Sequence, residues 1–287
     1  MSKKILVTGA TGTVAGSVIP QLLEGGATVH LYVRTKEKAK HFADKGAVLF
    51  EGDFNNQEAL NKAAEGVDAV LAITPAGPEA IVQGNAILSA AQKSGSPHYV
   101  RLSAIGAAPD APTENGKLHY ESDKAVINSG LTYTILRPHY FMQNSFMSVE
   151  SLKAEGKMYL GMGDGKLGLV DTRDIADSFA SILLNGGHGN MIYTPTGPES
   201  ISFSRIAEIM SEAGGSPVEY VPIPIEAVGD FILKAGWGEW GAQVMMDYSK
   251  AYSEGWGNFT NDDVKIVTGK DARSFKTFYE GVLSHAL

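Results

Sequence analysis

The chain has 287 residues, 44% of them hydrophobic and 20% charged, a composition typical of globular proteins that bury a sizeable core. Its formal net charge of −8 disfavours a nucleic-acid partner, since proteins that bind phosphate backbones carry basic patches. The absence of cysteine excludes disulfides, thiolate nucleophiles and cysteine-ligated metals, and no apolar run is long enough to span a bilayer. We therefore expect a cytoplasmic protein with no metal centre and no membrane contact.

Short apolar runs that end in turn residues alternate with longer stretches of helical periodicity along the first half of the chain. Two of the helical stretches lie at 15–26 and 79–95. Strands that alternate with helices indicate βαβ units, and runs that are apolar on both faces suit a parallel sheet covered by helices on both sides. The sequence therefore predicts an α/β fold with a Rossmann-type, doubly wound parallel sheet. The predicted strands are 4–9, 28–34, 47–53, 69–76, 98–104 and 132–138.

The alternation weakens in the second half of the chain. Helices are predicted near 170–185 and near 202–215, and the latter has a serine at its start and glycines at its end. The last third of the chain holds all three tryptophans, together with clusters of Met and Tyr. The second half is therefore predicted to form a small substrate cap on the sheet. The predicted domains are a Rossmann domain over 1–145, with further core elements around 165–195, and a mixed C-terminal part over 146–287.

The first predicted strand runs into a G-x-x-G-x-x-A sequence and then into a helix, an arrangement typical of dinucleotide binding. Gly9 permits a sharp turn, Gly12 lets the backbone approach a pyrophosphate, and Ala15 is small enough for close packing of helix on strand. The helix N-terminus also offers unpaired N–H groups to the phosphates. A tight turn without a ligand is the alternative interpretation. The residues predicted to contact the cofactor here are Gly9, Thr11, Gly12, Thr13 and Val14.

The residue that ends the second strand selects the dinucleotide. An acidic residue there accepts a hydrogen bond from the ribose 2′-hydroxyl of NAD, whereas an arginine accommodates the 2′-phosphate of NADP. Arg34 occupies this position and Lys36, Lys38 and Lys40 follow it, with no acidic residue at the strand end. Because a guanidinium can hold a phosphate through two parallel hydrogen bonds, we predict NADP(H) bound by Arg34 and Lys38. A solvated charge run at the start of a helix is the alternative.

A family resemblance is carried by the stretches 7–16, 32–39, 52–60, 66–75, 119–144 and 170–183. Together they resemble the NmrA-like group of atypical short-chain dehydrogenase/reductases, in the branch that holds NADPH-dependent quinone, triphenylmethane-dye and azo-dye reductases alongside cofactor-sensing regulators. The resemblance implies that Asp53 and Phe54 lie by the adenine. It also implies that Thr74 and Pro75 border the ribose and nicotinamide side, and that Pro138 touches the nicotinamide. A polar turn residue and a strand terminator are the alternative roles of Asp53 and Pro138.

The candidate catalytic pair is Tyr120 with Lys124, four residues apart and therefore on one face of a predicted helix. The tyrosine could donate a proton to a carbonyl oxygen as hydride arrives at carbon, while Lys124 holds the nicotinamide ribose hydroxyls. Ser103, which ends the fifth predicted strand, is placed to hydrogen-bond the same oxygen. A second match to the spacing, Tyr32 with Lys36, lies in the wrong place for chemistry, so the assignment depends on position along the chain.

The resemblance leaves the role of Tyr120 open. In the dye- and quinone-reducing branch the matching position is usually not a tyrosine, and catalysis is thought to depend on holding hydride donor and acceptor together, with the lysine binding cofactor. Tyr120 is therefore either a proton donor or a residue that only lines the site. His119, which matches a histidine of that branch, is expected to be a surface or loop residue.

Aromatic side chains are expected to form the acceptor pocket, because they suit a flat aromatic molecule. His139, Tyr140 and Phe141 directly follow the sixth predicted strand. Trp237 belongs to the glycine-rich stretch 235–241, a predicted mobile lid. The alternative is that these residues form the core of the cap.

Two functions follow from these patterns. The first is an NADPH-dependent reductase that passes hydride to a small aromatic acceptor: a quinone, a dye, a carbonyl compound or an activated alkene. The second is an NADP(H)-sensing regulator that controls a protein partner without turnover. The intact Tyr120 and Lys124 pair favours the enzyme, and a nucleotide-sugar epimerase is disfavoured because only three arginines lie beyond residue 140. The sequence leaves pairing of two copies into a homodimer open.

Overall fold

The structure, a computed structural model, describes residues 2–95 and 97–287. The chain divides into two units. Unit 1 comprises Met1–Pro109, Lys117–Arg137 and Ile175–Tyr193, and unit 2 comprises Asp110–Gly116, Pro138–Asp174 and Thr194–Leu287. The domain boundary at residue 145 stays a prediction.

Both units are built from strands and helices. The strands are β1 (Lys4–Thr8), β2 (Thr28–Val33), β3 (Val48–Glu51), β4 (Ala69–Ala72), β5 (His98–Leu102), β6 (Tyr133–Leu136), β7 (Lys157–Leu160), β8 (Lys166–Leu167), β9 (Met191–Tyr193), β10 (Ile201–Ser202) and β11 (Glu219–Pro222). The α-helices are α1 (Thr13–Glu24), α2 (Lys40–Ala43), α3 (Gln57–Ala64), α4 (Ala80–Lys93), α5 (Glu114–Ile127), α6 (Val149–Glu155), α7 (Thr172–Asn185), α8 (Phe203–Gly214), α9 (Ile225–Lys234), α10 (Gly238–Ser253), α11 (Asp263–Thr268) and α12 (Phe275–Gly281). Short 3-10 helices occupy Lys36–Ala39, Met142–Ser148 and Leu283–Ala286.

Seven parallel strands form the central sheet of unit 1, in the order β3-β2-β1-β4-β5-β6-β9. This confirms the predicted α/β fold with a Rossmann-type parallel sheet, and each of the six predicted apolar runs forms one strand. The edge strand β9 was not predicted, since it is short and its Met191 and Ile192 are 44% and 38% exposed. The strand order reverses between β1 and β4, and sheets of this kind bind ligands beyond the carboxyl ends of their strands at such a switch point.

Helices cover the sheet because its strands are apolar on both faces. Leu6 on β1 is fully buried in one cluster with Leu60 of α3 and Ile87 of α4. The helices α1 and α7 pack closely on each other, since a Cβ added to Gly25 at the end of α1 would collide with Leu184. The helices predicted at 15–26, 79–95, 170–185 and 202–215 are present as α1, α4, α7 and α8, with ends within two residues of the prediction.

Unit 2 combines the antiparallel pair of β8 and β10 and the parallel pair of β7 and β11 with the helices α8 to α12. Helix α8 begins and ends as its sequence predicts. The hydroxyl of Ser202 accepts the N–H of Arg205, and Gly215 adopts the left-handed conformation at a φ of 71°. The buried core of unit 2 includes Met158, Met162, Phe203, Met210, Phe275 and Phe278. Throughout the part of the chain that the structure describes, no helix is long and apolar enough to cross a membrane.

Candidate cofactor site and active site

The turn between β1 and α1 has the geometry that its glycines predict. Gly9 lies in the left-handed region at a φ of 66°, and a Cβ there would approach Ile73 to 3.0 Å. The N–H of Gly12 donates to the carbonyl of Gly9 at 2.9 Å, and a Cβ on Gly12 would lie 3.3 Å from that same oxygen. A side chain at Gly9 would be both crowded and strained, whereas one at Gly12 would crowd the Gly9 carbonyl.

The N-terminus of α1 begins at Thr13 without a side-chain cap. Gly12 occupies the N-cap position, and the first turn of the helix carries no acidic residue. Thr11, Gly12 and Thr13 are exposed, whereas the Val14 side chain is buried, which leaves only its backbone for contact with a ligand. Uncapped N–H groups and the positive end of the helix dipole favour an anion at this point.

The hydroxyl of Thr8 joins the carboxyl ends of β1 and β4. It donates to the carbonyl of Ile73 and accepts the N–H of Ile73, both at 2.9 Å, and the Thr8 side chain is fully buried. These two bonds fix the segment that continues to the half-buried Thr74 and the exposed Pro75. The segment predicted to border the ribose is therefore held against the glycine turn.

A cavity of about 340 Å³ lies at the carboxyl ends of the strands β3, β2, β1 and β4. The predicted cofactor residues that line it are Gly9, Thr11, Arg34, Lys38, Asp53, Phe54 and Pro75. Of the other predicted residues in this part of unit 1, Gly12 is the N-cap of α1, Thr13 and Val14 are the first two residues of that helix, and Thr74 precedes Pro75. Sequence reasoning missed the lining residues Ala10, Tyr32, Val33, Thr35 and Gly52.

Tyr32, which matched the chance Tyr-Lys spacing, has a structural role in this cavity. Its hydroxyl donates to the carbonyl of Asp53 at 2.6 Å and lies 3.2 Å from the carbonyl of Asn56. A side chain on Gly52 would collide with that hydroxyl. One carboxylate oxygen of Asp53 accepts the N–H groups of Asn55 and Asn56, as expected of a polar turn residue. The adenine contact of Asp53 and Phe54 stays a prediction.

In the part of the chain that the structure describes, the positive charges at the end of β2 form no ion pair. Arg34 and Lys38 are both exposed at the cavity, and within residues 2–95 and 97–287 no carboxylate forms an ion pair with either side chain. Two cations beside an uncapped helix N-terminus make this cavity attractive to a ligand with several phosphate charges.

The predicted catalytic pair lies on α5. Lys124 Nζ is 6.0 Å from the centroid of the Tyr120 ring, so the two side chains are neighbours, as their spacing predicts. Tyr120 is half-buried, and the Lys124 side chain is 55% exposed, with its ammonium 4.0 Å from a carboxylate oxygen of Glu121. The ammonium is therefore free to move toward a ligand, and the catalytic roles of the pair stay predictions.

A buried ionic network, which sequence reasoning missed, attaches α5 to the ends of β5 and β6. The Asp123 carboxylate is fully buried and accepts hydrogen bonds from Arg101 at 2.5 Å, Arg137 at 2.9 Å and the Ser103 hydroxyl at 2.8 Å. Ser103 was predicted to donate a hydrogen bond to the oxygen of the hydride acceptor. Because a hydroxyl has one proton to donate, Ser103 would first have to give up its hydrogen bond to Asp123. The available signal was Arg101 itself, since a charge inside an apolar strand needs a buried partner.

His119 belongs to the same network, and the expectation of a surface or loop position is wrong. It is half-buried on α5, with Nδ1 3.4 Å from a guanidinium nitrogen of Arg101. Burial, followed by the positive charges of Arg101 and Arg137, lowers the pKa of His119 to about 3. The imidazole is therefore neutral at physiological pH and can only accept from Arg101 at this nitrogen.

The residues predicted to touch the acceptor lie in unit 2. His139 is 1% exposed: Nε2 donates to the carbonyl of Gly257 at 2.9 Å, and Nδ1 accepts the N–H of Tyr140 at 2.7 Å. Tyr140 is buried in the core of unit 2 and Phe141 is half-buried, whereas Trp237 is 56% exposed before α10. Pro138 is buried and directly follows Arg137, the last residue of the second segment of unit 1. Contacts of these residues with acceptor or nicotinamide stay predictions.

Comparison with known proteins agrees with this geometry. The model of the NmrA-like family matches residues 1–280. The chain is 34% identical over 274 residues to an NAD(P)H azoreductase from Xenophilus azovorans, covering 96% of each chain.

Solved structures superpose over nearly the whole chain. The crystal structure of a triphenylmethane reductase from Citrobacter sp. complexed with NADP(H) gives a TM-score of 0.86 at 29% identity, covering 99% of this chain and all of that one. The crystal structure of an NADPH-dependent quinone oxidoreductase from Escherichia coli complexed with NADPH gives a TM-score of 0.89 at 22% identity. The match covers 97% of this chain and 99% of that one. The latter similarity shows the fold alone.

Acidification is expected to destabilise unit 2 through His139. Burial lowers the pKa of His139 to about 4, whereas an unfolded histidine titrates near ~6.5. Because the unfolded chain binds the proton first, the free energy of unfolding should fall by up to about 1.4 kcal/mol per pH unit between about pH 6.5 and about pH 4. Urea unfolding followed by tryptophan fluorescence measures this slope in unit 2, which holds every tryptophan.

Substitution separates His139 from the other titrating groups. The variant His139→Gln should show a shallower pH slope, whereas His285→Gln, which removes an exposed histidine, should keep the slope of the unchanged protein. Identical slopes in all three proteins would contradict the assignment to His139.

Proposed function

Because the chain belongs to the NmrA-like family, we propose that it is an NADPH-dependent reductase that transfers hydride to a small aromatic acceptor such as a quinone or a dye. One observation carries the proposal: the uncapped glycine turn at the switch point opens into the same cavity as the unpaired cations Arg34 and Lys38. The azoreductase and triphenylmethane reductase relatives support the reaction class. A cytoplasmic location and pairing into a homodimer stay predictions from the sequence.

The residues present fit a phosphorylated dinucleotide. Neither Gly9 nor Gly12 carries a side chain between the backbone of the turn and a ligand, and the N–H groups at the start of α1 would bind the pyrophosphate. Arg34 and Lys38 would hold the 2′-phosphate, which NAD lacks. When bound, the nicotinamide supplies the hydride, and its ring would lie beside Pro138 in this proposal.

The residues of α5 would organise the reacting end. Lys124, whose ammonium is exposed, would bind the nicotinamide ribose hydroxyls. Asp123 is a positioning residue: its bonds to Arg101 and Arg137 fix the helix that carries Tyr120 and Lys124. A quinone accepts hydride readily, so holding it against the donor supplies most of the catalysis.

Turnover tests the proposal directly. The purified chain should oxidise NADPH in the presence of 1,4-naphthoquinone or a triphenylmethane dye, measured as the loss of the near-ultraviolet absorbance of the reduced nicotinamide. If no quinone, dye or aromatic aldehyde supports turnover while NADP(H) binds tightly, the chain is a sensing regulator and the reductase proposal fails.

Arg34 is expected to select the cofactor. Replacing it with glutamine removes a charged two-point contact to the 2′-phosphate, so Arg34→Gln should raise KM for NADPH by about tenfold or more and leave KM for NADH nearly unchanged. Lys36→Gln is the matched control, because Lys36 belongs to the same basic run and does not line the cavity. An equal change of both Michaelis constants in Arg34→Gln would remove Arg34 from the cofactor site.

Tyr120 is expected to line the site rather than to donate a proton to a quinone. General acid catalysis contributes about 10²–10⁴-fold, so a loss of quinone turnover below about tenfold in Tyr120→Phe would show that no proton donation is needed. Tyr133→Phe, a half-buried tyrosine on β6, serves as the control. A hundredfold loss in kcat confined to Tyr120→Phe would restore the proton-donor role.

A further inference from the structure

The buried network around Asp123 holds more positive than negative charge. The guanidiniums of Arg101 and Arg137 both bind the single carboxylate of Asp123, and no other carboxylate of residues 2–95 and 97–287 forms an ion pair with either. His119 is neutral, because burial and the charges of these two arginines lower its pKa to about 3. Since an uncompensated charge is costly to bury, stability does not account for the second arginine.

Arg137 is the charged member of this network that is open to its surroundings. Its side chain is 20% exposed, against 4% for Arg101 and 0% for Asp123. Its Nε donates to Asp123 at 2.9 Å, whereas its two terminal nitrogens form no hydrogen bond with any residue that the structure describes. The N–H groups of both terminal nitrogens are therefore available to a ligand.

The position of Arg137 in the sheet is one at which ligands bind. Arg137 directly follows β6 and Ser103 directly follows the neighbouring strand β5, since Leu102 pairs with Leu136 in the register of the two strands. Both side chains donate to the same carboxylate oxygen of Asp123. They are therefore neighbours at the carboxyl ends of these strands, the edge at which doubly wound sheets bind their ligands.

The hydroxyl of Ser103 is already used as a donor. It has one proton, which the buried carboxylate of Asp123 accepts at 2.8 Å. A ligand oxygen beyond β5 and β6 therefore lacks the serine donor that the sequence predicts. The unused N–H groups of Arg137 lie beside that hydroxyl, and they carry a positive charge that a serine would not supply.

We propose, on the basis of the reductase function proposed above, that Arg137 is a catalytic residue that hydrogen-bonds the acceptor oxygen on which negative charge develops. In quinone reduction an O–H bond forms at one quinone oxygen as a C–H bond of the reduced nicotinamide breaks. The nicotinamide is oxidised, and the quinone is reduced to an anion with its charge on the other oxygen, which then takes a proton from water. A guanidinium beside that oxygen stabilises the charge as it forms.

Calorimetric titration of the full chain saturated with NADP+, which has no hydride to give, tests the proposal. One probe is 2-hydroxy-1,4-naphthoquinone, which is ionised at neutral pH and carries its negative charge on oxygen. The other is 2-methyl-1,4-naphthoquinone, which has a similar shape and no charge. The unchanged chain should bind the anion more tightly. Arg137→Gln should weaken the anion about tenfold or more, as expected for the loss of a charged hydrogen bond, and the neutral quinone by less than about twofold.

Further variants separate this role from a structural one. Arg137→Gln should melt close to the unchanged chain, because Arg101 still neutralises Asp123. It should lower kcat for quinone reduction about tenfold or more and leave KM for NADPH nearly unchanged, since the acceptor is charged only as hydride arrives. Arg205→Gln is the matched control: it removes an exposed arginine of α8, paired with Glu208 and Glu212, and should alter neither affinity.

Three results would overturn the proposal: an anion bound no more tightly than the neutral quinone by the unchanged chain, an equal loss of both quinones in Arg137→Gln, or an unchanged kcat in that variant. If Arg137→Gln does not fold, Arg137→Lys replaces it, and its loss must again be confined to the anion. The titrations involve no turnover. A chain that shows the charge preference and oxidises no NADPH would therefore contradict the reductase function while leaving the anion contact of Arg137 in place.

Discussion

The close approach of two backbone segments at the switch point of the sheet is the constraint on which the candidate cofactor site depends. Thr8 binds both the N–H and the carbonyl of Ile73, and Gly9 then turns against Ile73 where no Cβ would fit without crowding. Because backbone groups are held by other backbone groups and by one buried hydroxyl, the amides at the start of α1 are fixed before any ligand arrives. A backbone that is already ordered reduces the free energy that binding would otherwise lose to ordering it.

The ionic network around Asp123 places a different constraint on the same unit. Two guanidiniums and one hydroxyl surround a single buried carboxylate, and the mutual attraction of such groups roughly offsets the cost of removing them from water. Loss of one partner is more serious, since it leaves a charge buried without compensation, at a cost of about 3–5 kcal/mol. The network therefore specifies where α5 lies more than it stabilises the fold, and α5 carries Tyr120 and Lys124.

Buried polar groups in unit 2 fall into two kinds. Both ring nitrogens of His139 are paired, with Gly257 and with the N–H of Tyr140, so the neutral ring is part of the packing. The Ser249 hydroxyl is equally buried and unpaired.

The sequence by itself determined the α/β class, six of the seven sheet strands described, and the glycine turn with Arg34 beside it. These features have local signals: apolar runs, helical periodicity, and glycines where a side chain would clash. Only the tertiary structure decided that β9 extends the sheet and that the Asp123 carboxylate accepts a hydrogen bond from the Ser103 hydroxyl. It also decided that the buried Ser249 hydroxyl has no hydrogen-bond partner among the described residues. A short exposed strand has no apolar pattern, and a side chain's partners depend on which distant segments the sheet and the helices bring together, which residue spacing does not encode.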